Sequence, residues 1–329
     1  MEFQPIERAP DAFQLSVTAD QIDAMCQRAF GSSVRVRSAV ELGNGMYNNT
    51  YRVDVGEERA VILRVAPEPA RQYRIERGLM RNEYASIPFL APIAPMIPRT
   101  LAADFTHEII GRDYLFQTML EGVPGPEGIG QYPRSQWASF FRQMGEIARS
   151  IHSVRGKRFG PVTGPGFDTW SEAVIAHFVE LAADLDDAGL DSADVREVAA
   201  AADKYRAALD EVTQPRLLHG DLWTVNVMMD PNAAEPVISG VFDNDRTSWG
   251  DPESDWVIYM AAKKPGTERD AFWDTYGPRP STAGAARRSL FYLAKHTGAI
   301  RLERHRLGNA EALPETYEQM REVLDQLQR

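Results

Sequence analysis

The chain has 329 residues, 43% of them apolar, 25% charged and 9% aromatic, which is the composition of a globular protein and not of a disordered or low-complexity one. Its 36 basic and 47 acidic side chains leave a net charge of −11, and no long basic run offsets it, which argues against broad binding of nucleic acid or anionic membrane. Cys26 is the single cysteine, so an intramolecular disulfide and a cysteine-rich zinc site are excluded.

The N-terminal residues show no basic start followed by an apolar stretch. The most apolar segment, Ile87 to Pro98, is interrupted by Pro88, Pro92 and Pro95, and no window has the length of a membrane span. A cytoplasmic protein is expected. Ile22, Met25, Cys26 and Ala29 follow helical spacing, with Thr18 or Asp20 as the cap. The β-branched runs Thr50–Val55 and Arg59–Val65, joined by Gly56-Glu-Glu58, predict a β-hairpin. A charged helix is expected from Arg71 to Ser86, ended by Pro88, and a buried strand over Tyr114–Met119. The turn-rich Glu121–Pro126 marks a boundary between a unit at 1–120 and one at 121–329. The second unit reads as helical over Trp137–Ile151, 170–188, 192–212, 283–306 and 315–328. One hairpin breaks that pattern, Val225–Met229 with Val237–Phe242 across the turn Asp230–Pro236.

The polar chemistry is densest on either side of that hairpin. Asp221 and Asn226 are five apart in Leu218-His-Gly-Asp-Leu-Trp-Thr-Val-Asn226, and Asp243 ends the partner strand. Pairing the strands brings three oxygen-bearing side chains together, a donor set that suits Mg²⁺ bound along with nucleotide phosphates.

The spacing is that of the protein-kinase catalytic loop. With Gly220 in the middle, the segment more closely resembles the aminoglycoside phosphotransferase and choline kinase group, which keeps His-Gly-Asp-x-x-x-x-Asn and then a metal-binding Asp. Gly250-Asp-Pro-Glu-Ser-Asp255 resembles the Gly-Asp-Pro-x-x-Asp of that group, and His152 falls where it often has a helix-ending His. The resemblance implies an α+β, bilobal protein-kinase-like fold, with a small β-rich N-lobe over nucleotide and a larger helical C-lobe. It implies Asp221 as catalytic base, Asn226 and Asp243 on Mg²⁺, His219 as support beneath the loop, and Asp255 tying the loop down from behind. Gly43, Gly45 and Asn48 would cover the phosphates, with Gly45-Met-Tyr-Asn48 matching the Gly-x-x-Asn of the group although a third glycine is missing. Taken alone, the Gly-Asn-Gly turn is also a simple start to a hairpin. Arg64 stands where protein kinases have Lys, with Glu83 as its helix partner. The alternatives are a surface pair with Glu58 or Glu68 for Arg64, and a solvated helix face for Glu83. By alignment on Gly122, the Thr118 carbonyl and the Leu120 amide would meet the purine edge, with Gln117 behind it.

Trp223 and Asp245 are candidates for facing the substrate, whereas Trp249 and Trp256 suit a core. Asp184, Asp186 and Asp187 read as a solvated helix end. The function so implied is transfer of the γ-phosphate of ATP or GTP to a hydroxyl of a sugar-bearing antibiotic, as a resistance enzyme. The second reading is a metabolite kinase, since His219-Gly-Asp-Leu-Trp223 also resembles the fructosamine kinases. A catalytically inactive nucleotide- or ligand-binding protein is the reading from another class, favoured by Arg64 and the missing glycine. No P-loop and no Gly-x-Ser-x-Gly elbow occurs.

Overall fold

The β-branched runs pair as expected and form the middle of a six-stranded sheet in a computed structural model that describes residues 1–10, 12–43, 45–56, 59–255 and 264–329. The sheet comprises β1 (Glu2–Gln4), β2 (Val36–Leu42), β3 (Asn49–Val55), β4 (Arg59–Val65), β5 (Thr100–Asp104) and β6 (Tyr114–Thr118), in the order β1-β2-β3-β4-β6-β5. Only the β1–β2 pair is parallel. Alternation puts Tyr51, Val53, Val61 and Leu63 on one face, where they are fully buried against Ile22, Met25 and Cys26 of helix α1 (Ala19–Phe30). Thr18 is the α1 cap: its hydroxyl accepts from the Gln21 amide, and the Gln21 side chain accepts from the Thr18 amide. Gly56 turns the central hairpin at φ 65°, while Glu57 and Glu58 lie outside the described residues.

The expected helix over Arg71–Ser86 is only half present. Residues 69–71 and 74–76 form 3₁₀ turns, Gly78 reverses the backbone at φ 72°, and helix α2 covers only Leu79–Ser86. The charged residues there had no continuous apolar stripe to support a longer helix. The proline-rich stretch that follows forms 3₁₀ turns over Ile87–Met96, with Leu90 and Ile93 buried in the core of the next lobe.

The C-lobe is mainly helical. Helix α3 (Trp137–His152) buries Phe140, Phe141, Met144, Ile147 and Ile151 at the spacing seen in the sequence. It packs beneath a three-stranded sheet of β7 (Val123–Pro124), β10 (Val227–Met229) and β11 (Ile238–Val241), in the order β11-β10-β7. The strands of the expected hairpin are shorter than read, because residues 224–226 make a 3₁₀ turn. Strands β8 (Gly160–Pro161), β9 (Arg216–Leu218) and β12 (Ser248–Gly250) form a third sheet in the order β8-β12-β9. A second core joins α4 (Trp170–Asp187), α5 (Ala193–Lys204), α6 (Ala283–Arg306) and α7 (Leu313–Gln328) through Phe178, Leu181, Val198, Phe291 and Leu302. The stretch 192–212 is therefore not one helix: α5 stops at Lys204 and a separate turn of helix covers Arg206–Leu209. Trp249 packs partly buried, edge-on to Phe89 at 5.0 Å, and Trp256 lies outside the described residues. Among the described residues, no helix is long and apolar enough to cross a membrane.

Asp184 corrects the reading of a solvated acidic helix end. It is 2% exposed, and its carboxylate accepts the backbone amides of Arg74 and Ile75 at 2.8 and 3.1 Å and the Arg74 guanidinium at 3.1 Å. It thereby fastens the segment before α2 to α4. Asp187 is largely exposed and touches only the Arg74 side chain. Replacing Asp184 by Ala strands buried amides, and we expect a loss of about 2 kcal/mol in urea unfolding. Asp187→Ala is expected to cost less than about 0.5 kcal/mol in the same assay.

Candidate active site

The loop between β9 and β10 hangs from one carboxylate. Asp255 is 1% exposed and accepts the His219 amide at 2.8 Å and the Gly220 amide at 3.1 Å. Its Oδ2 also meets Nε2 of His152, the last residue of α3, at 3.0 Å, and Nδ1 of His152 meets the Tyr276 hydroxyl at 2.8 Å. Burial disfavours the Asp255 charge, but these hydrogen bonds outweigh it and hold the carboxyl below its usual range. The His219 ring is fully buried under the loop. Its Nδ1 lies 3.4 Å from the Asp221 amide, and its Nε2 has no partner among the described residues. Gly220 sits at φ 85°, and a Cβ there would lie 2.3 Å from the Arg246 carbonyl oxygen, so no side chain fits.

Past that turn, one amide organises the loop. Nδ2 of Asn226 donates to the Asp221 backbone oxygen at 2.8 Å and to the Asp221 carboxylate at 2.9 Å. The Asn226 Oδ1 is left free of protein donors among the described residues. Burial, helped by the nearby Asp243, pushes the Asp221 carboxyl up to about 6, against the opposing pull of Arg246 and Asn226. The hairpin register Val227↔Val241 and the bond from the Phe242 amide to the Asn226 carbonyl return the chain to this point. Asp243 then stands in the left-handed region at φ 63°, an uncommon and costly conformation for a residue with a side chain.

Arg64 of β4 reaches across from the sheet. Its guanidinium bonds Glu83 of α2 at 2.6 Å and bonds Asp243 Oδ1 directly, with Asp245 4.0 Å away. The alternative pairings of Arg64 at the surface and of Glu83 with solvent are thus not what the structure shows. Glu83 is fully buried, and its Oε1 also accepts from Gln117 at 2.8 Å. Burial raises the Glu83 carboxyl despite Arg64. Asp245 is 5% exposed, and burial beside Asp243 drives its carboxyl well above its usual range.

Gly43 and Gly45 flank the β2–β3 turn, with Asn44 outside the described residues. Gln14 pins that turn from behind, donating to the Gly45 and Asn48 carbonyls, each at 3.0 Å. Asn48 is buried and its Oδ1 lacks a partner. Thr118 ends β6, its amide and hydroxyl both bonded to the Arg99 backbone at 2.9 Å. Leu120 lies against Gly240, and among the described residues no protein acceptor takes its amide. Trp223 is half-buried with its indole N–H unpartnered.

Sequence reading missed Asn82 and Ser86, the neighbours of Glu83 on α2. Nδ2 of Asn82 bonds the Asp245 and Thr247 carbonyls at 2.8 and 2.7 Å, and Ser86 accepts from Asn244 at 2.8 Å. Nothing local marks them, because their partners lie some 160 residues away.

A family model described as the phosphotransferase enzyme family matches residues 38–291. No curated protein sequence matches the chain. Among solved structures, a thermostable mutant of aminoglycoside phosphotransferase APH(4)-Ia, in ternary complex with AMP-PNP and hygromycin B, is 18% identical with a TM-score of 0.64, covering 93% of this chain and 98% of that one. A GDP complex of an aminoglycoside 2'-phosphotransferase IIIa variant is 17% identical with a TM-score of 0.62, covering 93% and 97%. A GDP and kanamycin complex of an APH(2")-IIIa is 18% identical with a TM-score of 0.61, covering 92% and 97%. These likenesses show the bilobal, kinase-like fold. Because Arg64 is the cation that holds Glu83 and Asp243 together, Arg64→Ala is expected to weaken nucleotide binding by about tenfold or more in calorimetric titration.

Proposed function

The chain belongs to the phosphotransferase enzyme family, and on that premise we propose that it moves the γ-phosphate of ATP or GTP to a hydroxyl of a small, sugar-bearing acceptor. The observation that carries this is the Asn226 side chain, which locks the Asp221 carboxylate in place and leaves its own Oδ1 pointing to other work. In this reading the acceptor oxygen attacks the γ-phosphorus, the bond to the β–γ bridging oxygen breaks, and the acceptor proton passes to Asp221. A carboxylate poised near 6 is ionised at neutral pH yet basic enough to take that proton.

Asn226 Oδ1 and the Asp243 carboxylate would hold Mg²⁺. Among the described residues, no three His, Cys, Asp or Glu side chains come together to hold a metal by themselves. Two hard oxygen donors fit an ion that arrives with phosphates and keeps its waters. When bound, Mg²⁺ would neutralise charge on the phosphates. Arg64 would steer the phosphate side of the site, bridging Glu83 and Asp243. Gly43, Gly45 and Asn48 would cover the phosphates, the Thr118 carbonyl and Leu120 amide would take the base, and His219 and Asp255 would support the loop. A lobe boundary between 1–120 and 121–329 is supported by the end of β6 at Thr118 and by the pairing of the next strand, β7, with β10.

The hygromycin B and kanamycin complexes of the structural neighbours support an antibiotic-modifying, resistance role. The inactive reading rested on Arg in the lysine position and on the missing third glycine; against the first of these, Arg64 makes the ion pair to the α2 glutamate that such a cation needs. A mass-spectrometric screen of hydroxylated acceptors with Mg²⁺ and ATP or GTP tests the proposal. Asp221→Asn is expected to retain nucleotide binding and lose about 1,000-fold or more in turnover. Unchanged turnover in that variant would remove Asp221 as the base. Because only the ionised carboxylate accepts a proton, kcat/KM is expected to be flat above about pH 6 and to fall about tenfold per unit below it. Asp243→Ala is expected to abolish the Mg²⁺ dependence of nucleotide binding measured by titration calorimetry.

A further inference from the structure

The turn between β2 and β3 exposes Leu42 and Met46 to solvent, and its attachment to the rest of the molecule runs through Tyr47 and Gln14. The Tyr47 hydroxyl donates to the Glu76 carbonyl at 3.1 Å, and its ring lies 5.6 Å from that of Phe13. Both contacts lead to one cation. Nη1 of Arg306, the last residue of α6, bonds the Glu76 carboxylate at 2.7 Å. Its Cζ lies 4.3 Å from the Phe13 ring centre, 5.5 Å from that of Tyr47 and 5.4 Å from that of Tyr73. The Arg306 and Glu76 side chains are 7% and 6% exposed.

Three rings and a carboxylate around one guanidinium clasp the turn to the C-lobe. A guanidinium is drawn to ring faces, more strongly where water is excluded, and a buried ion pair keeps its geometry because breaking it strands a charge. The parts of the clasp are themselves anchored. Gln14, next to Phe13, donates to the Gly45 and Asn48 carbonyls, and Arg71 donates to the Ala12 carbonyl. Asp184 of α4 takes the Arg74 and Ile75 amides, and the Tyr73 hydroxyl donates to the Leu302 carbonyl of α6 at 3.4 Å. The C-lobe thus fixes Glu76, and Glu76 fixes Tyr47. The second Glu76 oxygen lies 3.8 Å from Arg246, whose backbone packs on Gly220 beside Asp221. One carboxylate therefore stands between the turn and the loop that carries Asp221. An arginine that only completes the end of α6 needs no such surroundings: Arg304, two residues earlier, pairs with Glu315 of α7 at 2.9 Å. Phe13 and Arg306 both lie outside the stretch that the family model matches, so the clasp is built from the flanks of this chain.

We propose that Arg306 is a positioning residue for the nucleotide, which through Glu76 and Tyr47 holds the Gly45–Asn48 turn in place over the phosphates. This rests on the phosphotransferase reading and adds to it a residue from the far end of the C-lobe. A turn held before the nucleotide arrives loses less freedom on binding, and that is where Arg306 contributes affinity.

The test compares Arg306→Met, Tyr47→Phe and Arg304→Met with the unaltered full chain, by calorimetric titration with AMP-PNP and Mg²⁺ and by hydrogen exchange followed by mass spectrometry. Arg306→Met is expected to weaken AMP-PNP binding at least about fivefold and to speed exchange over residues 45–52 at least about threefold, with exchange over 290–302 unchanged. Tyr47→Phe keeps the ring and loses the bond to Glu76, and is expected to weaken AMP-PNP about twofold or more and to speed exchange over the same residues. Arg304→Met is expected to match the unaltered chain in both readings, with far-ultraviolet circular dichroism as the control for folding. Unchanged AMP-PNP affinity in Arg306→Met, an equal loss in Arg304→Met, or faster exchange over 290–302 with 45–52 unaffected would each overturn the proposal. Should Arg306→Met not fold, unchanged affinity and exchange in Tyr47→Phe would overturn it. Failure of the phosphotransferase reading is read separately, as absence of AMP-PNP binding by the unaltered chain.

Discussion

The Arg64 guanidinium is the joint on which the site depends. It extends from the middle of the N-lobe sheet, binds the fully buried Glu83 of α2, and binds Asp243 on the strand end of the C-lobe hairpin. Removing water from such a group is expensive, and here several carboxylates offset that cost: burial works against its charge, while Glu83, Asp243 and Asp245 raise its pKa. A lysine would offer a point charge in place of this fork, and could not present two fixed nitrogens to two carboxylates in the same way. The pairing makes α2 more than a helix on the surface. Asn82 and Ser86 add bonds to the segment after Asp243, so one face of α2 sets the height of Asp243 relative to the sheet.

The loop that carries Asp221 is held by a second, independent device. Asp255 takes two consecutive amides of the loop and is itself gripped by His152 at the end of α3. The loop therefore refers to the apolar core beneath it, where Leu217 and Leu222 on either side of His219 are fully buried. Gly220 permits the reversed backbone, and Asn226 closes the turn onto Asp221. Rigid support of this kind matters because phosphoryl transfer asks little covalent chemistry of the protein and much positioning.

Asp221 stands in a cluster where two arginines are each matched by several carboxylates. Toward the sheet, Arg64 is surrounded by Glu83, Asp243 and Asp245, and a divalent cation with phosphates would fit that acid-rich side. On Arg246, burial works against the charge, and Asp245, Glu76, Asp221 and Asp243 offset it. The carboxylate between them is raised by burial and by Asp243 and lowered by Arg246, so both sides help to place it near 6.

Local patterns were legible without the fold. Alternation in Thr50–Val55 and Arg59–Val65, the helical spacing of Trp137–Ile151, and the offsets among Asp221, Asn226 and Asp243 are all short-range, and each survives as an element or as a cluster. The structure departs from the local pattern at 71–78, where no apolar stripe supports a helix, at 204–206, where one expected helix becomes two, and at 224–226, where a turn shortens a strand. What the tertiary structure decided is pairing over long separations. Gln14 under the Gly45–Asn48 turn, Asp184 on the amides of Arg74 and Ile75, and Asn82 on the carbonyls of Asp245 and Thr247 look in sequence like ordinary polar residues. Sequence determines which side chains a segment offers to one face. Only the packed chain determines which of them then meet.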